Sequence, residues 1–195
     1  MNRILKFFAI VLVSFALLSC GKDDMYSSVK NNIVGHYVAT EEIDWTGVLV
    51  DLNDDGYSSH SMFEECCGAP GFVASSISAD IREVDSDEHK FCISVTFPDY
   101  QILEVDGTLV PLGFIYRTVK LDAYWLDSKD PFPNHYDRYY KRDSEYSDKL
   151  HTCKMAHVSQ MKTPGEFVFN VACELYGNVY GTLYDGTMKY HFKRQ

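Results

Sequence analysis

The chain has 195 residues, with 18 basic and 28 acidic side chains and a formal net charge of −10, and 14% of it is aromatic, mostly Tyr and Phe. That length supports one folded domain with a substantial core. The acidic balance repels phosphate backbones and other polyanions, and no basic cluster or basic helix offsets it, so nucleic acid is excluded and cations, neutral ligands and proteins remain as partners.

Arg3 and Lys6 precede a twelve-residue apolar run, 7–18, broken only by Ser14. The run is shorter than the about 20 residues a transmembrane helix needs, and it suits the core of a secretory signal. Its end, Leu17, Leu18, Ser19 and Cys20, resembles the lipobox of bacterial lipoproteins. The resemblance implies cleavage after Ser19 and acylation of Cys20. GKDD at 21–24 resembles the acidic export tag of Bacteroidota surface lipoproteins and implies an outer-membrane, cell-surface location, with the membrane met through the N-terminal lipid. On this reading 1–19 is a signal peptide, 20–31 a lipidated tether and 32–195 the domain, and the part from Cys20 onward carries 16 basic and 28 acidic residues, a net charge of −12. Ser27 and Lys30 spell SxxK, but no SDN or KTG follows downstream and the motif carries no catalytic reading.

Strands are expected at 34–43 and 46–51. DLNDDG (51–56) then places Asp51, Asn53 and Asp55 on alternate positions before Gly56, the first half of a calcium loop in which hard oxygen ligands wrap one ion. The twelfth loop position is Met62 rather than Glu, so an EF-hand is not expected; a looser calcium site closed by Glu64 is one reading, and a metal-free Asx-rich turn is the other. SSHSMFEECC (58–67) suggests one or two helical turns, capped by Ser58 or Ser59 and packed down by Met62 and Phe63.

Alternation dominates the rest. In HKFCISVTF (89–97) Phe91, Ile93, Val95 and Phe97 share a face; in EFVFNVACELY (166–176) Phe167, Phe169, Val171, Cys173 and Leu175 do; in TMKYHFK (187–193) Met188, Tyr190 and Phe192 alternate with Thr187, Lys189, His191 and Lys193. Period two with β-branched and aromatic residues reads as half-buried strands. Further strands are expected at 72–83, 100–105, 113–125, 151–160 and 178–184, and DGT (185–187) reads as a hairpin turn. With no βαβ rhythm and no internal repeat, the expected fold is all-β: an antiparallel up-and-down barrel or a related sandwich of eight to ten strands with one short helix.

The long insertion at 130–150 offers His135, Tyr136, Tyr139, Tyr140 and Tyr146, with Trp125 upstream. Flat faces with polar tips suit sugar rings or protein partners, and they equally suit packing at a barrel rim. In HTCKMAH (151–157) a strand would put His151, Cys153, Met155 and His157 on one face, a set of soft-metal donors. If MKTPG (161–165) is the turn, residue 160 faces 166 and Cys153 comes opposite Cys173, so a cross-strand disulfide is the plainer expectation in an oxidising envelope. Cys66 or Cys67 with Cys92 is a second candidate bridge; once Cys20 carries lipid, five cysteines remain and one must stay unpaired.

VGHYV (34–38), DLNDDGYSSHSMFEEC (51–66) and the terminal YHFKR resemble small Bacteroidota lipoproteins with a lipocalin-like domain, in which Gly35 and Tyr37 would open the first strand. The resemblance covers the two ends of the domain and implies a barrel with an interior cavity, but no activity. No HExxH, GxSxG, phosphate loop or Rossmann glycine pattern occurs. The expected function is therefore a non-catalytic envelope binding module for a small apolar ligand or a protein partner. An accessory glycan binder is the first alternative and an envelope hydrolase the second. No cofactor is expected beyond calcium at the acidic loop.

Overall fold

The computed structural model describes residues 25–124, 138–139, 149–151, 153–159, 165–177 and 181–195. A helix, α1 (25–33), leads into β1 (Gly35–Trp45), followed by the short helix α2 (Met62–Gly68) and a 3-10 turn at Ala74–Ser76. β2 (Ser78–Asp85), β3 (Lys90–Val105), β4 (Thr108–Tyr124), β5 (Arg138–Tyr139), β6 (Lys149–His151), β7 (Met155–Val158), β8 (Glu166–Gly177) and β9 (Thr182–Arg194) complete the fold. Among the described residues, nine strands form one antiparallel sheet in the order β4-β3-β2-β1-β9-β8-β7-β5, with β6 on β3. The all-β, antiparallel expectation holds, and the sheet curls into a nearly closed barrel of the lipocalin-like kind.

The closure comes from the long strand β3. β4 runs along one edge of it from end to end, while the other edge is shared: β2 pairs with residues 90–96 and β6 with 101–103. Since β6 leads into β7, which pairs with β8, the last strands return to β3. Phe97 of β3 packs on Phe169 of β8 with ring centroids 5.2 Å apart, and the Tyr190 hydroxyl donates to the Pro98 carbonyl at 3.3 Å. Asp99, its side chain closed to solvent, joins this seam to β4 and to the approach to β7. One oxygen accepts the Cys153 N–H at 3.2 Å, and the other pairs with Arg117 Nε of β4 at 2.6 Å.

Alternation decides what fills the barrel. Tyr37, Phe91, Phe97, Phe169, Tyr190 and Phe192 are essentially fully buried, and Phe167 stacks on Phe192 at 4.9 Å. Each such side chain contributes about 1.5–3 kcal/mol by leaving water. The interior is thus occupied by packed rings.

Several expectations change. Residues 25–31 of the expected tether belong to α1, which packs on the barrel: Ile33 is fully buried, and the Tyr37 hydroxyl donates to its carbonyl at 2.5 Å. Residues 46–51 form no strand beyond an isolated bridge between Val50 and Ser59. The runs at 89–97 and 100–105 merge into β3 through Pro98. DGT lies inside β9 rather than at a turn, because Gly177 pairs with Thr182 and the reversal comes earlier. Gly186 answers a packing need: a Cβ there would stand 2.3 Å from the Trp45 ring. α2 is present as expected, with Ser61, not Ser58 or Ser59, at its start and Met62 fully buried. Among the described residues no helix is long and apolar enough to cross a membrane.

Candidate functional site

β7 pairs with β8 one residue away from the expected register, Met155 facing Ala172 and Val158 facing Phe169. A one-residue slip turns every side chain to the other face. Ala156 and Val158 therefore point inward while Met155 and His157 are half-buried on the other face and Cys153 is buried, so these three soft donors of HTCKMAH do not form one set; the His151 side chain lies outside the described residues. The Cys153–Cys173 bridge is not present: all five described cysteines carry free thiols. Cys153 and Cys173 are both buried, and burial pushes the Cys153 thiol up to about 12 and that of Cys173 well above its usual value. Nor do Cys66 or Cys67 meet Cys92. Cys66 belongs to the core and Cys67 is exposed, whereas Cys92 points away from the face that Phe91 and Ile93 present to it. Burial raises the Cys66 thiol as well, and burial with nearby Glu41 and Glu64 raises Cys67, so none of Cys66, Cys67, Cys153 and Cys173 has the lowered pKa of an activated nucleophile.

The acidic loop is drawn together by its own backbone. Asp51, buried, accepts the N–H groups of Asp55 at 3.2 Å and Gly56 at 2.9 Å. Asn53 Oδ1 accepts Asp55 N–H, and Asp55 Oδ1 accepts Tyr57 N–H at 2.8 Å. Asp54 and Gly56 take left-handed φ values of 58° and 87° to make the turn. Glu64, the expected fourth member, is exposed on α2, while its neighbour Glu65 turns inward, only 4% exposed, to accept the Leu52 N–H at 3.2 Å. On a helix adjacent residues point about 100° apart, so one position decides which carboxylate returns to the loop. Burial, with the charges of Asp51 and Asp55 adding to it, raises the Glu65 carboxyl above its ordinary range.

Cys20, Tyr136 and Tyr140 lie outside the described residues, as do His135, Tyr146 and Trp125; Tyr139 belongs to β5, opposite Met155.

A groove of about 590 Å³ on the outer face of β1, β9 and β8 was not anticipated. The barrel's register builds it. Asp44, Lys189, Asn170 and His157 form one cross-strand row. The row before it, seen from the inside, is Ile43, Tyr190, Phe169 and Val158, so the outer row is polar by alternation alone. Between Ala39 and Ile43 the strand β1 bulges, setting Thr40, Glu41 and Glu42 against the single residue His191. Bulges re-aim side chains, and this one brings Glu42 and Asp44 to the two ends of one imidazole. His191 Nε2 lies 3.2 Å from Asp44 Oδ2, and Nδ1 lies 3.7 Å from Glu42 Oε2. Lys193 pairs with Glu166 at 3.6 Å along the groove, and the Asn170 amide donates to the Ser159 hydroxyl at its floor. The sequence signal was the K-H-K polar face of TMKYHFK; its acidic partners lie about 150 residues earlier and gave no local sign of it.

Searches of protein-family models, of curated proteins and of solved structures return no match for this chain.

Proposed function

We propose that this protein is a non-catalytic binding module of a bacterial envelope, held to the outer membrane by lipid on Cys20, which takes a small polar ligand in the outer groove. The observation that carries this reading is the groove itself, where carboxylates, ammonium groups, an amide and an imidazole converge in one concavity. Polar groups of both signs around a partly apolar floor suit hydroxylated or zwitterionic ligands. Packed rings in the interior move support away from an apolar ligand held inside the barrel. The resemblance to lipocalin-like lipoproteins and the leader-like N-terminus support the envelope setting.

The test is isotope-edited NMR of the mature chain in detergent, titrated separately with neutral and acidic oligosaccharides and with a fatty acid. Shifts confined to residues 40–44, 166–170 and 189–193 on adding an oligosaccharide are the expected result. Shifts of Phe97, Phe169 and Tyr190 with the fatty acid alone would return the site to the interior.

One observation favours a second reading, an envelope hydrolase. Glu42, Asp44 and His191 converge closely enough for general acid–base chemistry. Hydrolysis of a chromogenic ester or glycoside that is lost in His191→Ala would establish it, and equal background rates in both proteins would dismiss it.

The acidic loop supports a separate calcium role for Asp51, Asn53 and Asp55, with Glu65 in place of Glu64 as the closing carboxylate. Two buried carboxylates brought into one loop are a charge that a dication neutralises.

A further inference from the structure

The groove brings together three side chains of metal-ligating type from two strands. One oxygen of Glu42, one oxygen of Asp44 and one ring nitrogen of His191 all lie within 4.8 Å of one another. A zinc ion bonded at about 2.0–2.2 Å to nitrogen and oxygen sets its tetrahedral ligands about 3.3 Å apart. The His191–Asp44 contact already stands at 3.2 Å, and the longer, more exposed Glu42 need only swing about the ring edge.

We propose that this site holds a divalent transition-metal ion, with Glu42, Asp44 and His191 as its protein ligands and a fourth position open to the groove. This rests on the groove being the binding site proposed above and specifies how it grips a ligand: a coordinating hydroxyl or carboxylate completes the metal's shell. Imidazole with carboxylates selects zinc, iron or manganese over calcium, which takes six to eight oxygens. Three ligands and an open position are the pattern of a site that exchanges its fourth ligand, not of a closed structural one. The β1 bulge is what makes the set, since in regular pairing a single residue would face His191 where three now do. Lys189 stands opposite Asp44 across β1 and β9, so a cationic side chain borders the site.

The experiment is calorimetric titration of zinc chloride into the mature chain in detergent, with the histidine ring nitrogens followed by NMR on the same sample. The expected result is one zinc per chain, a large shift of a His191 ring nitrogen, and a loss in His191→Ala exceeding the about 10–100-fold that altering an outer partner of a metal ligand costs. Asp44→Asn weakens binding in the same sense, and His36→Ala, on the exposed His36–Asp80 pair, leaves it unchanged. Absence of binding, or binding that survives His191→Ala, overturns the proposal. The ring-nitrogen signal on the unaltered chain decides the matter even if a variant misfolds. If zinc fails but an oligosaccharide still shifts residues 189–193, the metal inference falls and the groove reading stands. If zinc binds at His191 and no oligosaccharide does, the metal site stands and the ligand class is wrong.

Discussion

Asp99 gives the barrel seam a defined pH response. Burial is the main cause that pushes its carboxyl from the ordinary 3.8 up to about 6, against the pull of Arg117 and of the Cys153 N–H. Because the folded-state value is raised, the folded chain keeps a proton that the unfolded chain has released. This group's contribution is therefore fully present below about pH 4 and is lost as pH rises through about 6. A displacement from 3.8 to about 6 corresponds to roughly 3 kcal/mol. Among the described residues, groups that face Asp99 include Arg117 from β4, Cys153 from the approach to β7, Cys173 from β8 and Tyr190 from β9. Burial raises the two thiols and the phenol, which moves their titration further from the range of pH 4 to 7. Asp99→Asn keeps the shape and removes the titration. The assay is urea unfolding of both proteins at pH 4, 5, 6 and 7, taking the difference in stability so that other carboxylates cancel. The unaltered protein loses about 2 to 2.5 kcal/mol relative to Asp99→Asn between pH 4 and 7, the rest of the effect lying below pH 4. A difference that stays flat with pH, or an Asp99 carboxyl carbon titrating near 4 in NMR, would refute the reasoning.

Gly186→Ala drives a Cβ into the Trp45 ring and costs about 1–3 kcal/mol as overpacking, read as a lowered urea midpoint; an unchanged midpoint would show that the ring moves aside freely. Native protein exposes Cys67 to a thiol reagent quickly, while Cys66, Cys92, Cys153 and Cys173 react only on unfolding; a mass two daltons short per pair would instead reveal a disulfide. Calcium raises the melting temperature and Asp51→Asn abolishes the rise, whereas Glu64→Gln does not; a rise that depends on Glu64 rather than Glu65 would contradict the loop geometry. Tyr37→Phe removes the hydroxyl that holds α1 through the Ile33 carbonyl and lowers stability by about 1 kcal/mol, measured by the same unfolding assay.

The barrel strands were legible where alternation ran undisturbed. Phe91 to Phe97, Phe167 to Leu175 and Met188 to Phe192 all point inward as their spacing implies. Non-local features were not. The β7–β8 register differs by one residue from the one the spacing implies, because it depends on turn geometry that spacing does not encode, and the slip turns Met155 and His157 off the inner face. Gly186 resembles a turn residue but serves Trp45, a contact across about 140 residues. Glu65 rather than Glu64 closes the acidic loop because the angle of α2, invisible in a list of residues, selects between neighbours. The groove was hidden for the same reason: its carboxylates come from a bulge in β1 and its imidazole from β9, and only pairing joins them.

Binding on the outside of the barrel is the property on which the proposed function rests. Native mass spectrometry of the mature chain, isolated gently from the envelope and compared with an Asp44→Asn, His191→Ala double variant, tests it most directly. The account predicts a polar adduct or metal mass on the unaltered chain that leaves on denaturation and is missing from the variant. A bare mass in both, or an apolar adduct that persists in the variant, would contradict it.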